Sequence, residues 1–273
     1  MPLNVLLAGG AEASTVHAFA KAALEVTGGG DIFMTQGPFR RAHEIDEARA
    51  LARRHDIGLI VPTIDDDLPL WAALAGSFAA EGTHVAVSAP STVALCHDRH
   101  VLCRSLTLMG IPAAATWLPG QVSPDLPFPV HVVSRNPRAA VPPVEVGSYE
   151  ELDHLLGQRP DAVIQAHLDG PEFEVDLCCD TDGHLLTVAP TEFAELAVCV
   201  ASAVHISGPA TVFGTLSGDR PVIRAISPRL SANVDMTYGA GARVPAALVE
   251  MALVRRNQAV VYGGMSAVMG AVA

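Results

Sequence analysis

Lysine is almost missing from this chain: Lys21 is the only one among 273 residues, and arginine supplies the remaining basic charge. Any chemistry that needs a lysine side chain beyond residue 21 is thereby excluded, although high-GC coding produces the same bias with no functional pressure. Aromatic residues are also scarce, at 5%, while 50% of the chain is apolar, so alanine, valine and leucine must build most of the core. That composition argues against disorder. No basic cluster offsets the net charge of −12, and a nucleic-acid footprint requires a clustered basic face. An acidic chain likewise gains no attraction to anionic lipid, so neither nucleic acid nor membrane is expected as a partner. No apolar run reaches the roughly 20 residues of a spanning helix. The apolar tail over 259–273 is interrupted by Gly263, Gly264 and Gly270 and reads as a buried terminal element or an oligomer contact. Met1-Pro2-Leu3-Asn4 lacks the basic start of a secretory signal. Five cysteines, an odd number without framework spacing, fit reduced thiols in a cytoplasm.

What is present is a regular alternation. Residues 4–8 and 59–62 read as buried strands, 13–26, 44–55 and 69–81 as helices, and 84–88 as a further short strand. Strands alternating with helices predict a parallel α/β sheet, here over residues 1–92. A helix over 91–109, stopped by Gly110-Ile111-Pro112, opens the second part. Strands follow at 129–133 and 162–166, with a helix at 149–157. Two hairpins are expected, 172–179 with 185–189 across Asp182-Gly183, and 211–216 with 221–226 across Gly218-Asp219. Helices at 191–205 and 245–255 complete the pattern.

Four segments, in order, carry a resemblance. They are Val61-Pro62-Thr63-Ile64-Asp65-Asp66-Asp67-Leu68; His97-Asp98-Arg99 with Met109-Gly110-Ile111-Pro112; Ile164-Gln165-Ala166-His167-Leu168-Asp169-Gly170-Pro171-Glu172-Phe173-Glu174-Val175-Asp176 with Asp182-Gly183; and Ile226-Ser227-Pro228-Arg229-Leu230 with Gly239-Ala240-Gly241 and Pro245. Together they resemble the ATP-grasp family, of the carbamoyl-phosphate-synthase large-chain type, shortened. The resemblance implies an N-terminal parallel α/β lobe (1–92) followed by two α+β lobes with antiparallel sheets (93–273). The small lobe would span about 112–166 and the C-terminal lobe about 167–273.

Family chemistry is phosphorylation of a carboxylate, then attack of a nitrogen nucleophile on the acyl phosphate. Cations and Mg²⁺ are needed because charge builds on the transferring phosphoryl group. By resemblance, Arg99, Arg135, Gln165, His167 and Leu168 would contact ATP. Asp65, Asp67, Glu172 and Asp176 would meet the substrate, and Arg229 would be catalytic. The match then departs from the pattern. The family's second cation falls at Val133, and Arg135, two residues on along a strand, would have to compensate. The glycine-rich phosphate loop becomes Asn136-Pro137-Arg138-Ala139-Ala140-Val141-Pro142-Pro143, whose prolines remove amide donors. The hinge glutamate falls at Ala166. The metal positions fall at Phe213, Ala225 and Ser227, none a carboxylate, whereas Mg²⁺ requires oxygen ligands. A different register would bring in Asp219 or Asp235. ATP is accordingly the expected cofactor and bound Mg²⁺ is not expected.

Other clusters read more simply. Gly9-Gly10-Ala11 fits a plain strand–helix turn better than a phosphate loop. Asp65, Asp66 and Asp67 close a strand, where ligands gather in open α/β sheets, or start a solvated helix whose dipole favours acids. Cys96, His100 and Cys103 share a helix face and fit packing better than a soft-metal site. Cys178 and Cys179 fit packing alone. Arg229 either meets a ligand or pairs structurally with Glu172 or Asp176. The resulting expectation is a non-catalytic or strongly altered ATP-grasp homologue that binds a small molecule or a partner enzyme subunit, with homo-oligomerisation open. The alternative is an active ATP-dependent carboxylate–amine ligase with a rearranged site, serving cofactor, amino-acid or peptide biosynthesis.

Overall fold

The computed structural model describes residues 2–39, 42–136, 142–234, 238 and 241–270; for 42 and 258–270 it describes the backbone alone. The described strands form three four-stranded sheets. The first is parallel, in the order β2-β1-β3-β4, with β1(Asn4–Gly9), β2(Ile32–Gln36), β3(Ile57–Pro62) and β4(His84–Val85). All six residues of β3 are buried, as a parallel strand covered on both faces requires. Helix α1(Ala13–Thr27) buries Thr15, Ala18, Phe19, Ala22 and Ala23, the i, i+3, i+4, i+7, i+8 stripe of one helix face. Gly28 closes it in the left-handed conformation, φ 77°. Helices α2(Ala42–Arg54) and α3(Leu68–Ala80) cover the other face, where Trp71 packs between Phe39 and Phe78.

The region expected as one helix over 91–109 is two, α4(Pro90–Cys96) and α5(Arg99–Leu108). Asp98 breaks it: its extended backbone starts a new helix and its side chain accepts the Val101 amide. The second sheet is antiparallel, β5-β8-β6-β7, with β5(Thr116–Trp117), β6(Val130–Ser134), β7(Val144–Val146) and β8(Ala162–Ala166), backed by α6(Tyr149–Gln158). The third is antiparallel, β10-β9-β11-β12, with β9(Glu172–Cys179), β10(Leu185–Ala189), β11(Gly208–Ser217) and β12(Arg220–Ser227). Both expected hairpins therefore lie in one sheet. Its core packs against α5 and α7(Ala194–Val204).

The last helix, α8(Val244–Gly270), runs beyond the expected 245–255 and shares a core with α1, β1 and β3. Ser88 and Thr92 bind the carbonyls of Ser207 and Val204, fastening the first unit to the third sheet. Between the second and third sheets, Ala113 bridges Ile223 and the Ala114 amide donates to the Ile223 carbonyl. No helix among the described residues is long and apolar enough to cross a membrane.

Candidate functional site

The second and third sheets and the C-terminal end of β3 converge on a cavity of about 300 Å³. From β6 come His131 and Val133; from β8, Gln165; from β11, Phe213; from β12, Arg224, Ala225 and Ser227. Arg99 enters from the start of α5, Asp65 from the turn after β3, and Arg229 from the segment after β12. Phe213 and Ala225 are register partners.

Three arginines and one carboxylate, Asp65, thus line the same cavity. That carboxylate is already engaged: Arg229 Nε donates to Asp65 Oδ2 at 2.6 Å and Ser227 Oγ to Asp65 Oδ1 at 2.9 Å. Arg224 reaches outward to Glu172, 2.7 Å away, and Gln165 Nε2 holds the Arg224 carbonyl at 3.1 Å. The Nε–H groups of Arg99 and Arg224 are buried without a hydrogen-bond partner. Burial lowers the Arg99 pKa; Cys103 opposes this and Arg224 adds to it, yet a guanidinium stays charged. Each unsatisfied buried donor costs about 1–3 kcal/mol, more when charged, and a guanidinium's outer N–H groups suit bidentate recognition of a phosphate or carboxylate.

No family model and no curated protein matches the sequence. Solved structures do. L-amino acid ligase from Bacillus licheniformis superposes with TM-score 0.68 at 16% identity, over 92% of this chain and 74% of that one. An ATP-grasp RimK domain protein from Sphaerobacter thermophilus gives 0.64 at 17%, over 91% and 99%. D-alanine–D-alanine ligase from Bacillus anthracis gives 0.63 at 15%, over 94% and 98%. The chain has the ATP-grasp fold.

Of the residues expected to serve an ATP-grasp site, Arg99, Gln165, Arg229 and Asp65 line the cavity. So do Val133, Phe213, Ala225 and Ser227, at the expected cation and metal positions, while Asp219 lies in the β11–β12 turn and is not among the lining residues. Asp235, Gly239, Ala240 and 137–141 of the proline-bearing loop lie outside the described residues. Arg135 does not line the cavity; its guanidinium binds Asp98 at 2.7 and 3.0 Å. Arg229 pairs with Asp65, neither Glu172 nor Asp176 as the sequence had offered. Asp176 is buried and accepts from Thr211 Oγ1. Asp67 is fully buried beneath the turn, and Asp66 is exposed. His167 and Leu168 follow β8, half-buried and outside the cavity. Cys96, Cys103, Cys178 and Cys179 are buried, and burial raises each thiol pKa.

Two lining residues escaped the sequence reading. His131 stands two before Val133 on β6, so the period-2 argument applied to Arg135 would have found it if run backward. Arg224 is the charged residue inside an otherwise apolar strand, next to the expected metal position Ala225.

Proposed function

We propose that this chain is an altered ATP-grasp protein that binds an anionic small molecule, ATP foremost, without transferring its phosphate at an enzymatic rate. The observation that carries the reading is the convergence of Arg99, Arg224 and Arg229, two of them with buried, unpartnered Nε–H groups, on one cavity. Phosphoryl transfer asks for more. Mg²⁺ takes near-octahedral oxygen ligands, but the side chains of Phe213 and Ala225 offer no donor oxygen, and the Asp65 carboxylate is already held by Ser227 and Arg229. The residues at these positions do not fit the metal. Losing one such electrostatic stabiliser typically costs about 2.7–4 kcal/mol, roughly a hundred- to a thousandfold in rate. The likeness to the carbamoyl-phosphate-synthase large chain, the partner enzyme subunit or second copy, and a cytoplasmic setting belong to the same reading. For the last, the support is five free cysteines.

A second reading rests on Arg224. It puts a cation in the cavity where Val133 replaces the family's own, so an active carboxylate–amine ligase with a rearranged site is the alternative. Calorimetry of ATP and ADP with and without Mg²⁺, followed by ADP release across a panel of amino acids and small carboxylates, separates the two. Metal-independent binding without turnover supports the first. Turnover near 1 per second, lost in Arg99→Ala, overturns it and supports the second; no anion binding overturns both.

A further inference from the structure

Beside the arginine cavity, the second sheet assembles a group that the phosphate chemistry does not use. His131 on β6 and Glu145 on β7 are register partners, and His167 follows β8, the strand on the other side of β6. One ligand atom from each lies within 4.8 Å of the other two. The Glu145 Oε2 atom stands 3.5 Å from His131 Nε2 and 3.1 Å from His167 Nδ1. Two donors each about 2.0–2.1 Å from a tetrahedral ion stand about 3.3 Å apart, so both separations are those of ligands around an ion. His167 Nδ1 is close to the carboxylate without hydrogen-bond geometry; it is a buried ring nitrogen left without a hydrogen-bond partner. The other ring nitrogen, Nε2, faces Asp169 Oδ1 at 3.1 Å. A carboxylate that takes the far N–H of a histidine fixes the tautomer and leaves the near nitrogen as a ligand, the usual arrangement behind metal-bound imidazole.

We propose that His131 Nε2, Glu145 Oε2 and His167 Nδ1 bind a divalent transition-metal ion of the zinc type, with Asp169 as a positioning residue. Two imidazoles and one carboxylate suit Zn²⁺ or Co²⁺ over Mg²⁺, which takes oxygen. Three protein ligands leave a coordination position open, and His131, which also lines the arginine cavity, sets that position beside the anion site. The metal site does not depend on the anion reading, because no arginine is a ligand. The other His–Asp group, Asp180, Asp182 and His184, differs: Asp180 Oδ1 is taken by the amides of Asp182 and His184.

The test is titration of untagged protein with Zn²⁺, and separately with Co²⁺, in the absence of nucleotide. One equivalent is expected to bind, with affinity falling at least a hundredfold in His131→Ala, His167→Ala and Glu145→Gln. Asp169→Ala is expected to lose less than the ligand variants, because its side chain is fully exposed, and His184→Ala nothing. No binding of either ion, or binding that survives His131→Ala and His167→Ala, overturns the site. If a histidine variant fails to fold, the cobalt spectrum of the intact protein decides. Intense visible bands of a four- or five-coordinate ion support the assignment, and the weak spectrum of the hydrated ion overturns it.

Discussion

Two cavities of the molecule make a useful contrast, and the smaller is the better candidate. The larger, about 620 Å³, lies between the end of α3, the β9–β10 turn and α8. Three of its polar groups serve the fold, and one buried nitrogen, His84 Nε2, is left without a hydrogen-bond partner. Asp180 accepts two amides of its own turn, Thr83 binds the Ile57 carbonyl, and Arg256 is paired with Asp56. In the smaller cavity of about 300 Å³ three guanidiniums converge and two of their Nε–H groups have no protein partner. What separates the two is therefore neither volume nor a single unmet nitrogen but the convergence of three permanent cations.

The strongest way to break this contrast is to remove the charge. Replacing Arg99, Arg224 and Arg229 together by Ala should weaken ATP or inorganic phosphate binding at least a hundredfold by calorimetry, since each charge-assisted bond is worth about 1.5–3 kcal/mol. Filling the larger cavity with Ala79→Trp should leave that affinity within twofold. Equal losses in both variants would erase the distinction.

The larger cavity should instead reveal itself through acid stability. Burial, aided by Arg255, lowers the His84 pKa from 6.5 to about 4. The unfolded chain takes up a proton in that window and the folded chain does not, so stability is present above pH 6.5 and falls as the pH drops towards 4. The full loss is on the order of 3 kcal/mol. Urea unfolding at pH 7 and pH 4.5, for the natural chain and His84→Phe, checks it; equal acid losses in the two would refute the role of His84.

The smallest effect sharpens the contrast within the cations. Arg135→Ala should change anion affinity less than twofold and stability by no more than about 1 kcal/mol, the range of a half-exposed ion pair. A tenfold loss of affinity would mean that Arg135 leaves Asp98 to reach the ligand.

The sequence made the third sheet legible nearly to the residue. The first half of β9, Glu172-Phe173-Glu174-Val175-Asp176, alternates, and Asp182-Gly183 marks the turn to β10. The missed strands were β2, set between Gly28-Gly29-Gly30 and Gly37-Pro38, and β5 and β7, of two and three residues. β5 and β7 hold too few positions for a period to register, while β2 is as long as strands that were expected. At the site, Arg99, Asp65, Gln165 and Arg229 could be placed from motif order. Arg135 could not, because its partner Asp98 lies 37 residues earlier in the chain and only the folded backbone brings them together. The same holds for Arg229 and Asp65, separated by 164 residues.

That last pair has a kinetic and thermodynamic meaning. Asp65 is an anion built into the chain, held by Arg229 and Ser227, and on the anion-binding reading it is a tethered competitor. An incoming phosphate or carboxylate must evict it, and its high local concentration opposes every such exchange. On the anion-binding reading, an occupant that never diffuses away works against weak or singly charged anions and favours a ligand able to engage several guanidiniums at once. Asp65→Asn should relax this selection, tightening inorganic phosphate more than ATP.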